Sequence, residues 1–166
     1  MSCTQLRNLL SNELELALAL LYPSTSHRQK DRYLRLMELG DNITPVGSPF
    51  FVSVPGRTEL GGNHTDHNPG RALAAAADLD CLGYILPREE KIITICSDSL
   101  NEQINIDLSQ LAPVAAETGT ATALVRGMAA EWSERYELQR GFAAFVHSEC
   151  PVGAGLSSSA AFTLLV

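Results

Sequence analysis

The segment PVGAGLSSSAAF at residues 151–162 constrains the fold more than any other part of the sequence. Gly153 and Gly155 lack side chains, so the backbone there can take positive φ angles and approach a ligand closely. The run GFAAFVHSE (141–149) before this segment has the composition of a strand, and the apolar residues after Ser159 predict a helix. The chain must therefore pass from a strand, through a glycine-rich turn, directly into a helix.

A helix N-terminus that follows such a turn is suited to bind an anion. Its first amides have no intrahelical acceptor and carry roughly half a positive charge, an arrangement that binds phosphate in many proteins. We therefore predict a phosphate-binding loop formed by Gly153, Ala154, Gly155, Leu156, Ser157, Ser158 and Ser159. The simpler alternative is a serine N-cap after a tight turn, which requires one serine rather than three.

Two well-known phosphate loops do not match this segment. A Walker A loop requires a lysine before its last serine or threonine, and residues 151–162 contain no lysine. A dinucleotide-binding fingerprint requires a third glycine where Ser158 stands. The predicted loop is therefore of another kind.

A second informative segment, SVPGRTELGGNHTDHNPG (53–70), follows the predicted strand FFVSVP (50–55). Polar side chains held at the end of a strand are typical of binding sites. His64 and Asp66 could bind sugar hydroxyls, and Arg57 could stabilise a negative charge. The alternative is a surface turn, because Asn, Asp, Gly and Pro are the usual turn residues.

The same segment also allows a metal site. His64, Asp66 and His67 match part of the H-x-H-x-D-H ligand run of metallo-hydrolases. The first histidine of that run would fall at Gly62, so the ligand set is incomplete. A metal-dependent hydrolase stays open as an alternative at this point.

Composition restricts the class of protein further. The net charge of −7 argues against nucleic acid as a partner, since that binding depends on basic side chains. Cys3, Cys81, Cys96 and Cys150 form no C-x-x-C pair, which predicts free thiols and a reducing compartment. Neither a secretory signal nor a membrane-spanning run is found in the sequence. We therefore expect a cytoplasmic protein without a membrane partner.

The pattern of apolar residues predicts an α+β fold, with a largely antiparallel sheet covered by helices on one side. Residues 1–45 read as a helical preface and residues 46–166 as the domain itself. The predicted helices lie at 4–21, 27–40 and 118–136, with a last one in GLSSSAAFTLLV (155–166). The predicted strands lie at 50–55, 91–97, 102–108 and 141–149, and two further short strands are expected within 71–87 because Asp78, Asp80 and Gly83 interrupt a helix.

Together the two segments resemble the GHMP kinase superfamily and, within it, the galactokinases. PGRTELGGNHTDHNPG is similar to the galactokinase signature, and PVGAGLSSSAAF to the superfamily's phosphate-binding motif. The resemblance implies the GHMP kinase N-terminal domain, a mixed and mostly antiparallel sheet with helices on one side. It also implies ATP and Mg²⁺ as cofactors and the phosphorylation of a sugar at its anomeric hydroxyl. Galactose is the sugar that the resemblance favours.

The resemblance also implies roles for individual residues. Arg57 aligns with the arginine near the reacting hydroxyl and is the expected catalytic residue of this chain. Asn63, His64 and Asp66 align with positions that bind the sugar. Residues 153–159 align with the loop that binds ATP, and Ser159 in particular with a Mg²⁺ ligand.

Three departures from the family's signature bear on the choice of sugar. The family usually has Asn at the position of Glu59, Glu at that of Asn63 and Tyr at that of His67. Other sugars, such as arabinose or N-acetylgalactosamine, therefore stay open as substrates. A non-catalytic sensor of sugar and ATP is the alternative from another functional class, although the intact SSSAA run favours an enzyme.

The family's catalytic aspartate lies after the serine motif, beyond Val166. The resemblance therefore implies that these residues are the N-terminal portion of a longer two-domain kinase, cut within the helix that the loop begins. We expect the 166 residues alone to be inactive. We also expect them to self-associate through the cut face, because exposed apolar patches drive association.

Overall fold

The structure is a computed structural model and describes residues 14–62, 70–98 and 102–166. After a helical segment at residues 14–21, the elements in chain order are α1 (Ser26–Leu39), β1 (Phe50–Gly61), β2 (Leu73–Pro87), β3 (Ile92–Ser97), β4 (Glu102–Asp107), a 3-10 turn (Ala115–Glu117), α2 (Ala121–Arg135), β5 (Phe142–Ser148) and α3 (Ser158–Leu165).

The strands form one five-stranded sheet in the order β1-β2-β5-β3-β4. β3 and β5 run parallel, and the other neighbouring pairs are antiparallel. A parallel pair requires a crossover connection, and α2 lies between β4 and β5 along the chain. The predicted α+β fold with a mixed, mostly antiparallel sheet is confirmed.

Helices cover both faces of the sheet when the preface is included. On one face, α2 and α3 pack on an apolar cluster that includes Cys81, Ile85, Ile95, Val125, Phe162 and Leu165. On the other face, the segment 14–21 and α1 pack on a second cluster that includes Leu18, Tyr33, Leu36, Leu82, Tyr84 and Leu86. The expectation of helices on one side thus holds for the helices of residues 46–166, and the preface adds the opposite layer.

β2 is one strand of 15 residues, so the prediction of two short strands within 71–87 is wrong. Tertiary contacts explain how Asp80 and Gly83 are accommodated within one continuous strand. Asp80 is buried beside Arg32, and the Cα of Gly83 lies against Leu165 of α3. A polar residue with a buried partner, and a glycine under a helix, are both compatible with a central strand.

β1 also departs from its predicted bounds, because it continues past Pro55 to Gly61. Pro55 is tolerated because β1 is an edge strand, and the register with β2 shifts between Pro55 and Arg57. Arg57 therefore lies within a strand, opposite Ala76, rather than in a loop.

The last helix is partly packed. Ala161, Phe162 and Leu165 are buried, whereas Leu164 is 75% exposed and Ala160 is also exposed.

Among the described residues, none of the helices has the length and apolar character that crossing a membrane requires.

Candidate functional site

The glycine-serine loop, residues 151–157, has the backbone that its sequence predicts. Gly153 and Gly155 have φ angles of 77° and 74°, and Ser157 has a φ of 56°. Ser157 is the non-glycine residue with a positive φ in the described part of the chain. A β-carbon makes this conformation unfavourable, and such strain is concentrated at functional sites in proteins.

Ser157 precedes α3 at the N-cap position, but its side chain makes no capping hydrogen bond. The carbonyl of Ser157 accepts the first helical bond, from the amide of Ala161 at 3.0 Å. The amides of Ser158 and Ser159 in the first turn have no acceptor within the helix. The simple N-cap explanation of this serine run therefore fails for Ser157, and donors are left at the start of α3.

The second segment reaches this loop through its backbone. The amide of Arg57 donates to the carbonyl of Leu156 at 3.0 Å. A β-carbon on the buried Gly56 would lie 2.8 Å from Cys150 Sγ and 3.1 Å from the carbonyl oxygen of Leu156. Gly56 thus allows the strand to lie against the loop, and the exposed Arg57 follows directly. The two segments that the sequence singled out are in contact.

A cavity of about 510 Å³ opens beside the loop, on the face covered by α2 and α3. Its lining comprises Ser158, Ser159 and Phe162 from α3, residues around the start of α2 and, on its strand side, Cys81, Ser97, Val146, Ser148 and Cys150. Apolar walls with a few hydroxyl groups are typical of a small-molecule site.

The thiols of this cavity are uncharged at neutral pH. Burial raises the pKa of Cys81 to about 12, and burial also raises the pKa of the Cys150 thiol. Among the described residues that line the cavity, none is a lysine, an arginine or a carboxylate. Charge for an anionic ligand would therefore come from the α3 amides and from Arg57 outside the cavity.

The predicted sugar-binding residues Asn63, His64 and Asp66 lie outside the described residues, as does His67. The structure places the positions on either side of them. Gly62 has a φ of 104°, and a β-carbon there would lie 2.3 Å from the carbonyl oxygen of Arg71. Gly62 and Arg71 therefore lie against each other at the end of the β1–β2 pair.

The donors for a cation are few. In the described part of the chain, His, Cys, Asp and Glu side chains form no group of three that could hold a metal ion. Ser159 could supply one hydroxyl ligand from the cavity wall, whereas Mg²⁺ needs six oxygens. The residues present fit a Mg²⁺ ion that is carried by the phosphates of a nucleotide rather than by a cage of side chains.

Several residues of the site have no functional signal in the sequence. Gly119, Thr120, Ala121 and Leu124 line the cavity because α2 begins there, and the Thr120 side chain caps α2 by accepting from the amide of Ala123 at 3.2 Å. Thr118, Gly119 and Thr120 fall inside the helix predicted at 118–136, but α2 begins at Ala121, and Thr120 is its N-cap. Its position beside the loop depends on the packing of α2 on the sheet.

Comparison with known proteins matches both segments. Residues 44–87 match the model of the galactokinase galactose-binding signature, and residues 120–166 match the GHMP kinases N terminal domain. The chain is 31% identical over 142 residues to a galactokinase from Limosilactobacillus reuteri, covering 82% of this chain and 36% of the relative. It is 34% identical over 116 residues to a galactokinase from Chloroflexus aurantiacus, covering 70% and 29%.

Solved structures give the same result for the fold. Lactococcus lactis galactokinase complexed with galactose has a TM-score of 0.68 and 27% identity, over 80% of this chain and 34% of that one. Methanococcus jannaschii mevalonate kinase has a TM-score of 0.59 and 23% identity, over 73% and 39%, which shows the shared fold alone. The chain spans about a third of the length of the curated relatives that it matches. Two family models that match separate parts of the chain, together with these relatives, show that the chain belongs to the galactokinase family and carries its GHMP kinase N-terminal domain.

Proposed function

We propose that this chain is the N-terminal part of an ATP-dependent galactokinase, which phosphorylates the anomeric hydroxyl of galactose. The observation that carries the proposal is the hydrogen bond from the Arg57 amide to the Leu156 carbonyl. It joins the segment that resembles a sugar-binding signature to the segment that resembles a phosphate loop. A kinase needs donor and acceptor side by side, because phosphoryl transfer depends on positioning and charge stabilisation.

The phosphates of ATP would bind at residues 153–159. The amides that begin α3 and the hydroxyls of Ser158 and Ser159 are the donors, and Ser159 is the proposed Mg²⁺ ligand. When bound, Mg²⁺ would neutralise phosphate charge. The cavity beside α2 has the size and the apolar walls to take the remainder of the nucleotide.

The sugar would bind at Asn63, His64 and Asp66, which follow β1 in the sequence. Asp66 would accept hydrogen bonds from sugar hydroxyls, and Asn63 can both donate and accept. Arg57 is the proposed catalytic residue, because its guanidinium would stabilise negative charge between the two ligands. The amide at Asn63, in place of the family's usual carboxylate, is the position most relevant to sugar preference.

We further propose that these 166 residues have no kinase activity by themselves. Among the described residues that line the cavity, none is a carboxylate that could act as a base for the attacking hydroxyl. Exposed Leu164 and Val152, at 75% and 80%, support self-association of the isolated chain near this site. Cytoplasmic location stays a prediction, supported by the free thiols of Cys81, Cys96 and Cys150.

The test is a pair of substitutions in the complete protein, one on each proposed ligand. Ser159→Ala should lower turnover at least roughly tenfold while leaving the galactose KM nearly unchanged, because one contact to a charged phosphate is worth about 1.5–3 kcal/mol. Asp66→Asn should raise the KM for galactose far more than that for ATP. Equal effects of either variant on both substrates would contradict the assignment, as would the absence of galactose phosphorylation by the unsubstituted protein.

A further inference from the structure

We propose that α1 positions the glycine-serine loop, and that Gln29 does so through Glu149. The idea that this matters for ATP rests on the proposed function, whereas the mechanical link does not. Glu149 directly follows β5 and is separated from Pro151 by one residue, so it forms the stem of the loop. A displacement of Glu149 is therefore transmitted to the residues that would bind phosphate.

Backbone contacts hold the stem against β2. The amide of Glu149 donates to the carbonyl of Asp80 at 2.9 Å. The next amide, of Cys150, donates to Ser148 Oγ at 3.2 Å, and the Cys150 thiol donates to the carbonyl of Leu79 at 3.3 Å. The loop therefore emerges from a pair of strands whose separation is set at Asp80 and Glu149.

Side chains of α1 reach this stem from the opposite face of the sheet. Gln29 is 1% exposed, and its Nε2 donates to Glu149 Oε2 at 2.9 Å. The Gln29 amide is oriented by Arg32, whose Nη1 donates to Gln29 Oε1 at 3.0 Å. Arg28 adds an ion pair to the same carboxylate at 3.1 Å. Arg32 Nη1 also lies 3.6 Å from Glu149 Oε2, so three residues of one helix contact the Glu149 side chain directly.

Arg32 contacts the backbone of both strands of the stem. Its Nη2 donates to the carbonyl of His147 on β5 at 2.7 Å and to that of Asp80 on β2 at 3.2 Å. The Asp80 carbonyl is also the acceptor for the Glu149 amide. Arg32 further forms an ion pair with the Asp80 carboxylate. α1 therefore sets the relative position of the strands from which the loop begins.

Attachment of the helix alone does not require these polar contacts. Tyr33, Leu36 and Met37 already bury apolar surface between α1 and the sheet. A buried ion pair adds little net stability, because desolvation offsets its attraction. Arg32 Nε is buried without a hydrogen-bond partner among the described residues, so the guanidinium is held by its other contacts despite an unpaired donor. Such a cluster restricts geometry more than it strengthens attachment.

The first test is hydrogen exchange of the chain with Gln29→Met, which keeps the buried volume and removes both hydrogen bonds. We expect the hydrogen-bonded amides of Glu149, Cys150 and Arg57, which fix the stem and the loop, to exchange roughly tenfold faster, as after the loss of one hydrogen bond to a charged group. Exchange in β3 and β4 and the midpoint of thermal unfolding should stay at the values of the unsubstituted chain. Unchanged loop exchange, or faster exchange everywhere with a lower midpoint, would overturn the proposal.

A second pair of variants keeps the test decisive if Gln29→Met folds poorly. Glu149→Gln retains an oxygen that accepts from Gln29, whereas Glu149→Met does not. The same amides should exchange near the original rate in the first variant, which loses the charge opposite Arg28 and Arg32 but keeps the Gln29 hydrogen bond, and faster in the second. Arg35→Ala, which removes the exposed pair with Asp98 at 3.2 Å, is the control and should leave the loop unaffected. Equal loosening by both Glu149 variants would contradict the role of Gln29.

Kinetics of the complete protein then connect the loop to its ligand. Gln29→Met should raise the KM for ATP several-fold and leave the KM for galactose unchanged, which a general loss of stability would not do. An unchanged KM for ATP in an active enzyme would overturn the positioning role. If the protein proved not to be a kinase, the proposed function would fail, and loop exchange would still decide the link between α1 and the loop.

Discussion

The two faces of the sheet are packed with different chemistry, although they share the strand β2. Cys81 points into the apolar cluster beneath α2 and α3, where a cavity remains beside the loop. Its neighbour Asp80 is 3% exposed on the opposite face, and its carboxylate accepts hydrogen bonds from Arg32, Tyr22 and Ser53. Apolar contacts are non-directional and do not require fixed partners, so the face beneath α2 and α3 tolerates a cavity that a ligand could fill. Hydrogen bonds are directional, so the other face fixes the strands that support the loop.

The largest loss of stability should come from removing one partner of the buried ion pair on the face that α1 covers. Asp80→Ala leaves the buried Arg32 charge without its carboxylate and should lower the free energy of unfolding by about 3–5 kcal/mol. Chemical denaturation measures this change. The double substitution Arg32→Met with Asp80→Leu removes both charges and should recover most of the loss. A single-variant loss below about 1 kcal/mol would show that this face does not depend on directional contacts.

A smaller effect is expected on the apolar face. A β-carbon at Gly83 would lie 2.8 Å from Leu165 Cδ2, so Gly83→Ala forces the buried Leu165 side chain to move and should cost about 1–3 kcal/mol. Gly127 of α2 is the matched control, since a β-carbon there meets no atom within 4 Å. Gly127→Ala should raise the free energy of unfolding by about 0.5–1 kcal/mol, because alanine is the better helix former. Equal costs at both glycines would contradict the tight packing of α3.

The smallest effect concerns pH. Burial raises the pKa of Cys81 from 9.0 to about 12, so above pH 9 the unfolded chain releases this proton while the folded chain keeps it. Stability is therefore fully present below pH 9 and declines as the pH rises from there toward 12. We expect a loss of about 1 kcal/mol between pH 8 and pH 10. Denaturation curves of Cys81→Ala should lose this part of the pH dependence; an identical decline would assign it to other groups.

Local patterns in the sequence predicted the parts of the fold that depend on local chemistry. The strands β3, β4 and β5 lie within a residue of their predicted bounds, since apolar alternation and flanking turns define them. The glycine-serine loop was also predicted, because Gly153 and Gly155 are needed where φ is positive.

The remaining features depend on partners that are distant in sequence. Asp78, Asp80 and Gly83 argued against a helix within 71–87 and led to the prediction of two short strands, and the sequence does not show that Arg32 pairs with Asp80 inside one long strand. The contact between Gln29 and Glu149 joins residues 120 positions apart, and neither residue carries a motif. The roles of Asn63, His64 and Asp66 come from the family resemblance and stay predictions.

Phosphate binding by the glycine-serine loop is measured most directly by an amide chemical-shift titration of this chain with millimolar Mg²⁺-ATP. We expect ATP to bind weakly and to change the amide shifts of residues 153–160, of Arg57 and of the start of α2. In α1, we expect changes only at the residues that contact Glu149. Inorganic triphosphate should reproduce the changes at residues 153–160 without those at α2. Shift changes confined to the α1 face, or none at the glycine-serine loop at any ATP concentration, would contradict the assignment of this loop to phosphate.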